Sequence, residues 1–143
     1  MFMFSVFEIA GSAMMAQSIR LNTTASNLAN INSVSSSIDT TYRSRQPVFA
    51  PIAASMRDEF FPNRAPGRGV QVLGIVESDA PLEQRFDPDH PMANEEGYIF
   101  LPNVNPVEAM VNMISASQSY RVNVEAFNTS KQLMQQTLRL AQQ

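Results

Sequence analysis

The residues that break helices are confined to one part of this chain. Eight of the nine prolines and four of the five glycines fall between residues 35 and 104. Residues 1–34 hold only Gly11, and residues 105–143 hold only Pro106. Proline removes a backbone donor and clashes with the preceding turn, and glycine inside a helix costs about 1 kcal/mol relative to alanine. The two terminal segments are therefore free to be helical, and the middle is not. This predicts a mainly α chain in three parts: an N-terminal helix within 1–34, an irregular or β-containing segment over 35–104, and a C-terminal helix within 105–143.

The first helix is expected over residues 5–30. Phe7, Met14, Leu21 and Leu28 recur every seven residues, with Phe4, Gly11, Ser18 and Ala25 between them. Alternating steps of three and four are the signature of a coiled-coil seam, here with large residues in one row and mostly small ones in the other. The last helix is expected to start at Asn105, a good N-cap, with Pro106 at the first helical position and Glu108 completing a capping-box-like arrangement. Its seam reads Met110, Met113, Ser117, Tyr120, Val124, Phe127, Lys131, Met134, Leu138 and Ala141. Lys131 is the misfit, and its long stem is suited to snorkelling. An antiparallel hairpin of the two helices accounts for the seams.

It does not account for the other faces. They carry Ser12, Gln17, Asn22, Thr23, Thr24, Asn27 and Asn30 on the first helix, and Asn112, Gln118, Asn123, Asn128 and Gln135 on the last. Exposed helices are normally laced with Glu and Lys. Here charged residues make up only 16% of the chain, against about 25% in an ordinary globular domain. Buried amides and hydroxyls are satisfied by one or two hydrogen bonds, whereas an unpaired buried charge costs several kcal/mol. The composition therefore suits a subunit of a dense helical assembly, its terminal helices packed on several sides.

The middle segment reads as a small surface element, with strand-like runs at 42–49, 70–76 and 98–101 and a mobile loop at 50–68. Asp87-Pro88-Asp89-His90 contains ligand-type atoms, but Asp-Pro followed by Asp is a turn signal. Glu95-Glu96-Gly97 likewise reads as a turn rather than a carboxylate pair. No phosphate loop or nucleophile elbow is visible. The chain has no Cys and one His, which exclude a disulfide framework, a zinc–thiolate site and His-based triads. Catalytic, metal and cofactor-binding residues are accordingly none. A net charge of −3 speaks against nucleic acid. No segment reaches the roughly 18 apolar residues of a membrane span. The apolar start, Met1 to Phe7, lacks a basic leader and meets Glu8 at once, so a cleaved signal is not expected, and export, if it occurs, is expected by a route that keeps the N-terminus.

The run Ser12 to Asn30, with its core Ala25-Ser26-Asn27-Leu28-Ala29-Asn30, resembles the N-terminal motif of the bacterial flagellar axial proteins. Three further stretches narrow the likeness to the FlgC-type proximal rod proteins of the basal body. These are Tyr42-Arg43-Ser44-Arg45-Gln46-Pro47-Val48-Phe49, Asp87-Pro88-Asp89-His90-Pro91 with Gly97-Tyr98, and Pro102-Asn103-Val104-Asn105 leading to Glu108-Ala109-Met110. The sequence departs from that pattern at Ile31-Asn32, over 35–41 and over 50–68. The resemblance implies a non-enzymatic structural subunit of the rod that crosses the periplasm, exported by the flagellar type III apparatus without signal-peptide cleavage. It implies helices packed as a coiled-coil-like stem in a tubular assembly around the export channel, with the middle segment outward. The implied partners are copies of the chain, other rod proteins, the rod-to-membrane-ring junction protein and the membrane ring, with no nucleic acid, small-molecule substrate or cofactor. The residues expected to carry helix packing are Phe7, Met14, Leu21, Asn27, Leu28, Asn30, Met110, Met113, Tyr120, Val124, Phe127, Met134 and Leu138. Two rival classes are a longer distal rod or hook-type component, disfavoured by length, and a soluble helical adaptor, disfavoured by the scarcity of helix charge.

Overall fold

The computed structural model describes residues 2–52 and 69–141. Two long helices sit at the two ends of the described sequence. Helix α1 spans Phe2–Ala29 (28 residues) and helix α2 spans Pro106–Ala141 (36 residues), lengths of about 42 and 54 Å at 1.5 Å per residue. The strands lie between them: β1 Arg45–Pro51, β2 Val70–Glu77, β3 Glu83–Phe86 and β4 Tyr98–Leu101. A 3-10 turn, Ile38–Thr40, precedes β1. The predicted mainly helical architecture with a small β-containing middle is what the fold shows.

The start of α2 is set by Asn105. Its Oδ1 accepts from the Val107 N–H at 2.9 Å and the Glu108 N–H at 3.3 Å, and its carbonyl accepts from the Ala109 N–H. Pro106 takes the first helical position, where a missing N–H costs nothing. The strands form two antiparallel-type ribbons, β1 with β2 and β3 with β4. In the second, the register pairs Glu83 with Leu101 and Phe86 with Tyr98. β1 pairs with a strand on one side only, so its other edge accommodates Pro47 and Pro51.

β3 was not expected. Glu83-Gln84-Arg85-Phe86 is exposed throughout and has no apolar alternation, so pairing to β4 rather than its own propensity makes it a strand. The turn that returns to β4 is tied by Asn94. Its Oδ1 accepts from the Glu96 and Tyr98 amides, and its own N–H donates to the Tyr98 carbonyl. Gly97 sits there at φ +80°, and a Cβ would come within 2.9 Å of the Phe86 ring. Asp87 to His90 forms a turn, as its sequence suggests: the His90 amide donates to the Asp87 carbonyl. Of the loop expected over 50–68, Ala50 and Pro51 belong to β1, and 53–68 lies outside the described residues.

The chain packs as two units that cut across the three sequence segments. Unit 1 comprises Met1–Ile19, Val48–Gly74 and Ala116–Gln143; unit 2 comprises Arg20–Pro47 and Ile75–Ser115. In unit 1, Phe7 and Phe127 meet edge to face with ring centroids 4.8 Å apart. Ala10, Ala16 and Ala116 are buried there. In unit 2 the core holds Ile99 and Phe100 of β4, Ala109 of α2, and Thr23, Thr24 and Asn27 of α1. Arg20 reaches Asn112 Oδ1 at 2.7 Å, which gives an arginine on the inner side of α1 a neutral partner.

The seams need a correction of register. The row Phe7, Met14, Leu21, Leu28 is half-buried, but of the expected companion row Ser18 and Ala25 are exposed. The companions on the inner side are Ala10, Gln17 and Thr24 instead. On α2 the inner line runs through Ala109, Met113, Ala116, Ser119, Asn123, Phe127, Ser130 and Met134, while Met110, Ser117, Tyr120, Lys131 and Leu138 are exposed. The physical reason is residue size. The buried helix positions are Ala10, Ala16, Thr23, Thr24, Asn27, Ala109 and Ala116, so pattern reading that follows large apolar residues selects a neighbouring row.

Candidate functional site

Asn27 is 6% exposed and grips a single residue of β1 from both sides. Its Oδ1 accepts from the Arg45 N–H at 2.9 Å, and its Nδ2 donates to the Arg45 carbonyl at 2.8 Å. A side-chain amide thus does for Arg45 what a neighbouring strand would do. Oδ1 also accepts from the Tyr42 hydroxyl at 2.9 Å, and Arg45 lies over the Tyr42 ring at 5.3 Å. Three residues on, Asn30 donates from Nδ2 to the Ser26 carbonyl at 2.8 Å, which also accepts from the Asn30 backbone N–H at 3.2 Å, so the last turn of the helix is closed twice on one acceptor. The Ala-Ser-Asn-Leu-Ala-Asn core is therefore a junction between α1 and the middle segment. Asn27 and Asn30, expected on a packing face, direct these hydrogen bonds into their own chain.

Asn103 makes a second knot. Its Oδ1 accepts from the Ser44 N–H at 2.7 Å, and its Nδ2 donates to the carbonyls of Ser78 at 3.2 Å and Ala80 at 2.8 Å. Arg43 adds a bond to the Ser78 carbonyl at 3.1 Å. The Arg45–Glu77 pair, 2.9 Å, is about half exposed and contributes little, since such pairs are worth roughly 0–1 kcal/mol. In unit 1 the middle segment meets α1 at Ser12. Its hydroxyl accepts from the Val70 N–H at 3.1 Å and donates to the Ile9 carbonyl at 2.9 Å. Gly69, at φ +111°, lies so close that a Cβ would collide with the Ser12 hydroxyl.

The outward faces of the helices are different in kind. On α2, Val107, Met110, Val111 and Ile114 stand at i, i+3, i+4 and i+7, one stripe of a helix, and are 51–68% exposed. Val6, Ile9 and Met15 on α1 and Val122, Leu133 and Leu138 on α2 are also exposed. The only large side chain that is fully buried is Ile99, among the described residues. On the helices the usual order is inverted: the buried residues are small, and large apolar ones are exposed. No helix among the described residues is long and apolar enough to cross a membrane.

Of the residues expected to carry helix packing, Phe7, Met14, Leu21, Leu28, Met113, Val124, Phe127 and Met134 are half-buried within the chain, and Met110, Tyr120 and Leu138 are exposed. Sequence reasoning missed Asn103, Asn94 and the buried alanines. Asparagine is common in loops, so neither Asn carried a signal. The alanines Ala109 and Ala116 do recur at a heptad spacing.

Comparison with known proteins shows the family. The family profile described as flagella basal body rod protein matches residues 7–35, and the profile for the C-terminal region of flagellar basal body rod FlgEFG proteins matches residues 95–140. The flagellar basal-body rod protein FlgC of Salmonella typhimurium is 46% identical over 142 residues, covering 99% of this chain and 100% of the relative. FlgC of Yersinia enterocolitica is 46% identical over the same extent. FlgC of Borreliella burgdorferi is 34% identical over 149 residues, covering 98% of each. With full-length likeness across such distances, the chain belongs to the FlgC family of structural flagellar basal-body rod proteins.

Proposed function

We propose that the chain polymerises through α1 and α2 to form the wall of the rod, a drive shaft that transmits torque and encloses the export channel. The observation that carries this is the inverted burial. A stripe such as Val107, Met110, Val111 and Ile114 is unfavourable in water at about 25 cal/mol per Å² of apolar surface, and neighbouring subunits would cover it. The middle segment faces outward, anchored to α1 by Asn27 and Ser12. Rigidity arises from many interlocked contacts, each polar one worth about 1 kcal/mol. The neighbours are copies of the chain, other rod proteins, the rod-to-membrane-ring junction protein and the membrane ring. The subunit reaches the periplasm through the flagellar type III apparatus with its N-terminus uncleaved, and it performs no catalysis. Electron microscopy of isolated basal bodies tests the reading. Density for α1 and α2 within a continuous tube supports it; a lone two-helix stem surrounded by solvent would overturn it.

A further inference from the structure

We infer that Met15 and Met110 are oxidation-sensitive sites of the unassembled subunit, where a peroxide converts the thioether to a sulfoxide and blocks polymerisation. The inference rests on the rod-wall reading above and adds a chemical vulnerability to it. Each sulfur has an internal control close by in sequence. Met15 is 70% exposed, whereas Met14 beside it is half-buried on the inner side of α1. Met110 is 51% exposed in the middle of the α2 stripe, whereas Met113 one turn on is half-buried. Each pair shares one helix and one packing unit, so exposure is what distinguishes its members. Met92, also exposed at 44%, lies in the middle segment and in neither helix.

The chemistry is self-contained once a peroxide is supplied. A sulfur lone pair attacks one oxygen of hydrogen peroxide, an S–O bond forms, the O–O bond breaks, and the proton on the attacked oxygen passes, directly or through solvent, to the departing hydroxide, which leaves as water. The sulfur is oxidised by two electrons and the peroxide is reduced by two. The product replaces a soft, polarisable apolar group with a strong dipole. On a face that a neighbour must cover, that dipole has no designed partner.

The test treats the purified full chain with hydrogen peroxide, maps the products by tandem mass spectrometry and follows polymer formation by sedimentation. Met15 should oxidise severalfold faster than Met14, and Met110 severalfold faster than Met113. The oxidised chain should lose polymer formation. A Met15→Leu/Met110→Leu chain, which retains Met92, should polymerise both before and after the same treatment. Equal rates within each pair, an oxidised chain that polymerises normally, or a double variant that remains peroxide-sensitive would each overturn the inference. An untreated chain that never polymerises would overturn the rod-wall reading itself, and with it the role of the two sulfurs, while the peptide map still reports their exposure.

Discussion

The junction around Asn27 and the stripe along the first turns of α2 follow opposite rules. At the junction, polar atoms are buried and answered within the chain: the Asn27 amide meets both backbone groups of Arg45 and the Tyr42 hydroxyl. Along the stripe, four large apolar side chains keep half or more of their surface exposed among the described residues. The junction is complete in one molecule; in the proposed rod wall the stripe is half of a contact. On that proposal one molecule carries two classes of positions, those that hold its own segments together and those that would meet a neighbour. Substitutions should separate them by whether the isolated chain or the polymer suffers.

The largest effect on the isolated chain is expected at Asn27→Ala. It strands the Arg45 N–H and the Arg45 carbonyl and leaves the Tyr42 hydroxyl with only the Ser26 Oγ at 3.3 Å; buried groups left without partners cost about 1–3 kcal/mol each, so a loss of about 3 kcal/mol should appear in urea denaturation. Gly97→Ala should cost about 1–2 kcal/mol by the same measurement, because φ there is +80° and the Phe86 ring must move. Asn105→Ala removes the α2 cap and should cost about 1 kcal/mol, visible as reduced helicity at the start of α2 by amide hydrogen exchange. The smallest effect on the isolated chain is expected at Ile114→Asp, within about 0.5 kcal/mol of the parent because the side chain is exposed. That same variant should abolish polymer formation in sedimentation, since the charge would be buried unpaired. Met113→Lys should harm assembly more than Gln135→Lys, by the difference between a half-buried and an exposed position. If Ile114→Asp polymerised normally, or Asn27→Ala left the urea midpoint unchanged, the contrast between the two regions would fail.

Much of the architecture was legible in the sequence. Proline and glycine mark where helices cannot run, and Asn105-Pro106 marks where α2 begins. The heptad rows found the inner line only in part. Phe7, Met14, Leu21 and Leu28 lie near it, but Ser18 and Ala25 do not, because Ala10 and Thr24 occupy the closer approach. Small residues pack well and signal weakly. Strand β3 was illegible because pairing to β4 makes it a strand. The roles of Asn27 and Asn103 were hidden for a related reason: a side-chain amide becomes a structural member only when a distant backbone, such as that of Arg45 or Ala80, is brought to it.

The double grip of Asn27 also governs sliding. Both bonds fall on one residue of β1, so a slip of β1 by a single position breaks both together and turns its side chains to the opposite side. The latch has no partly engaged setting. A twist applied along α1 would arrive at the middle segment through that point without creep, a useful property if the rod turns as one piece, as proposed above.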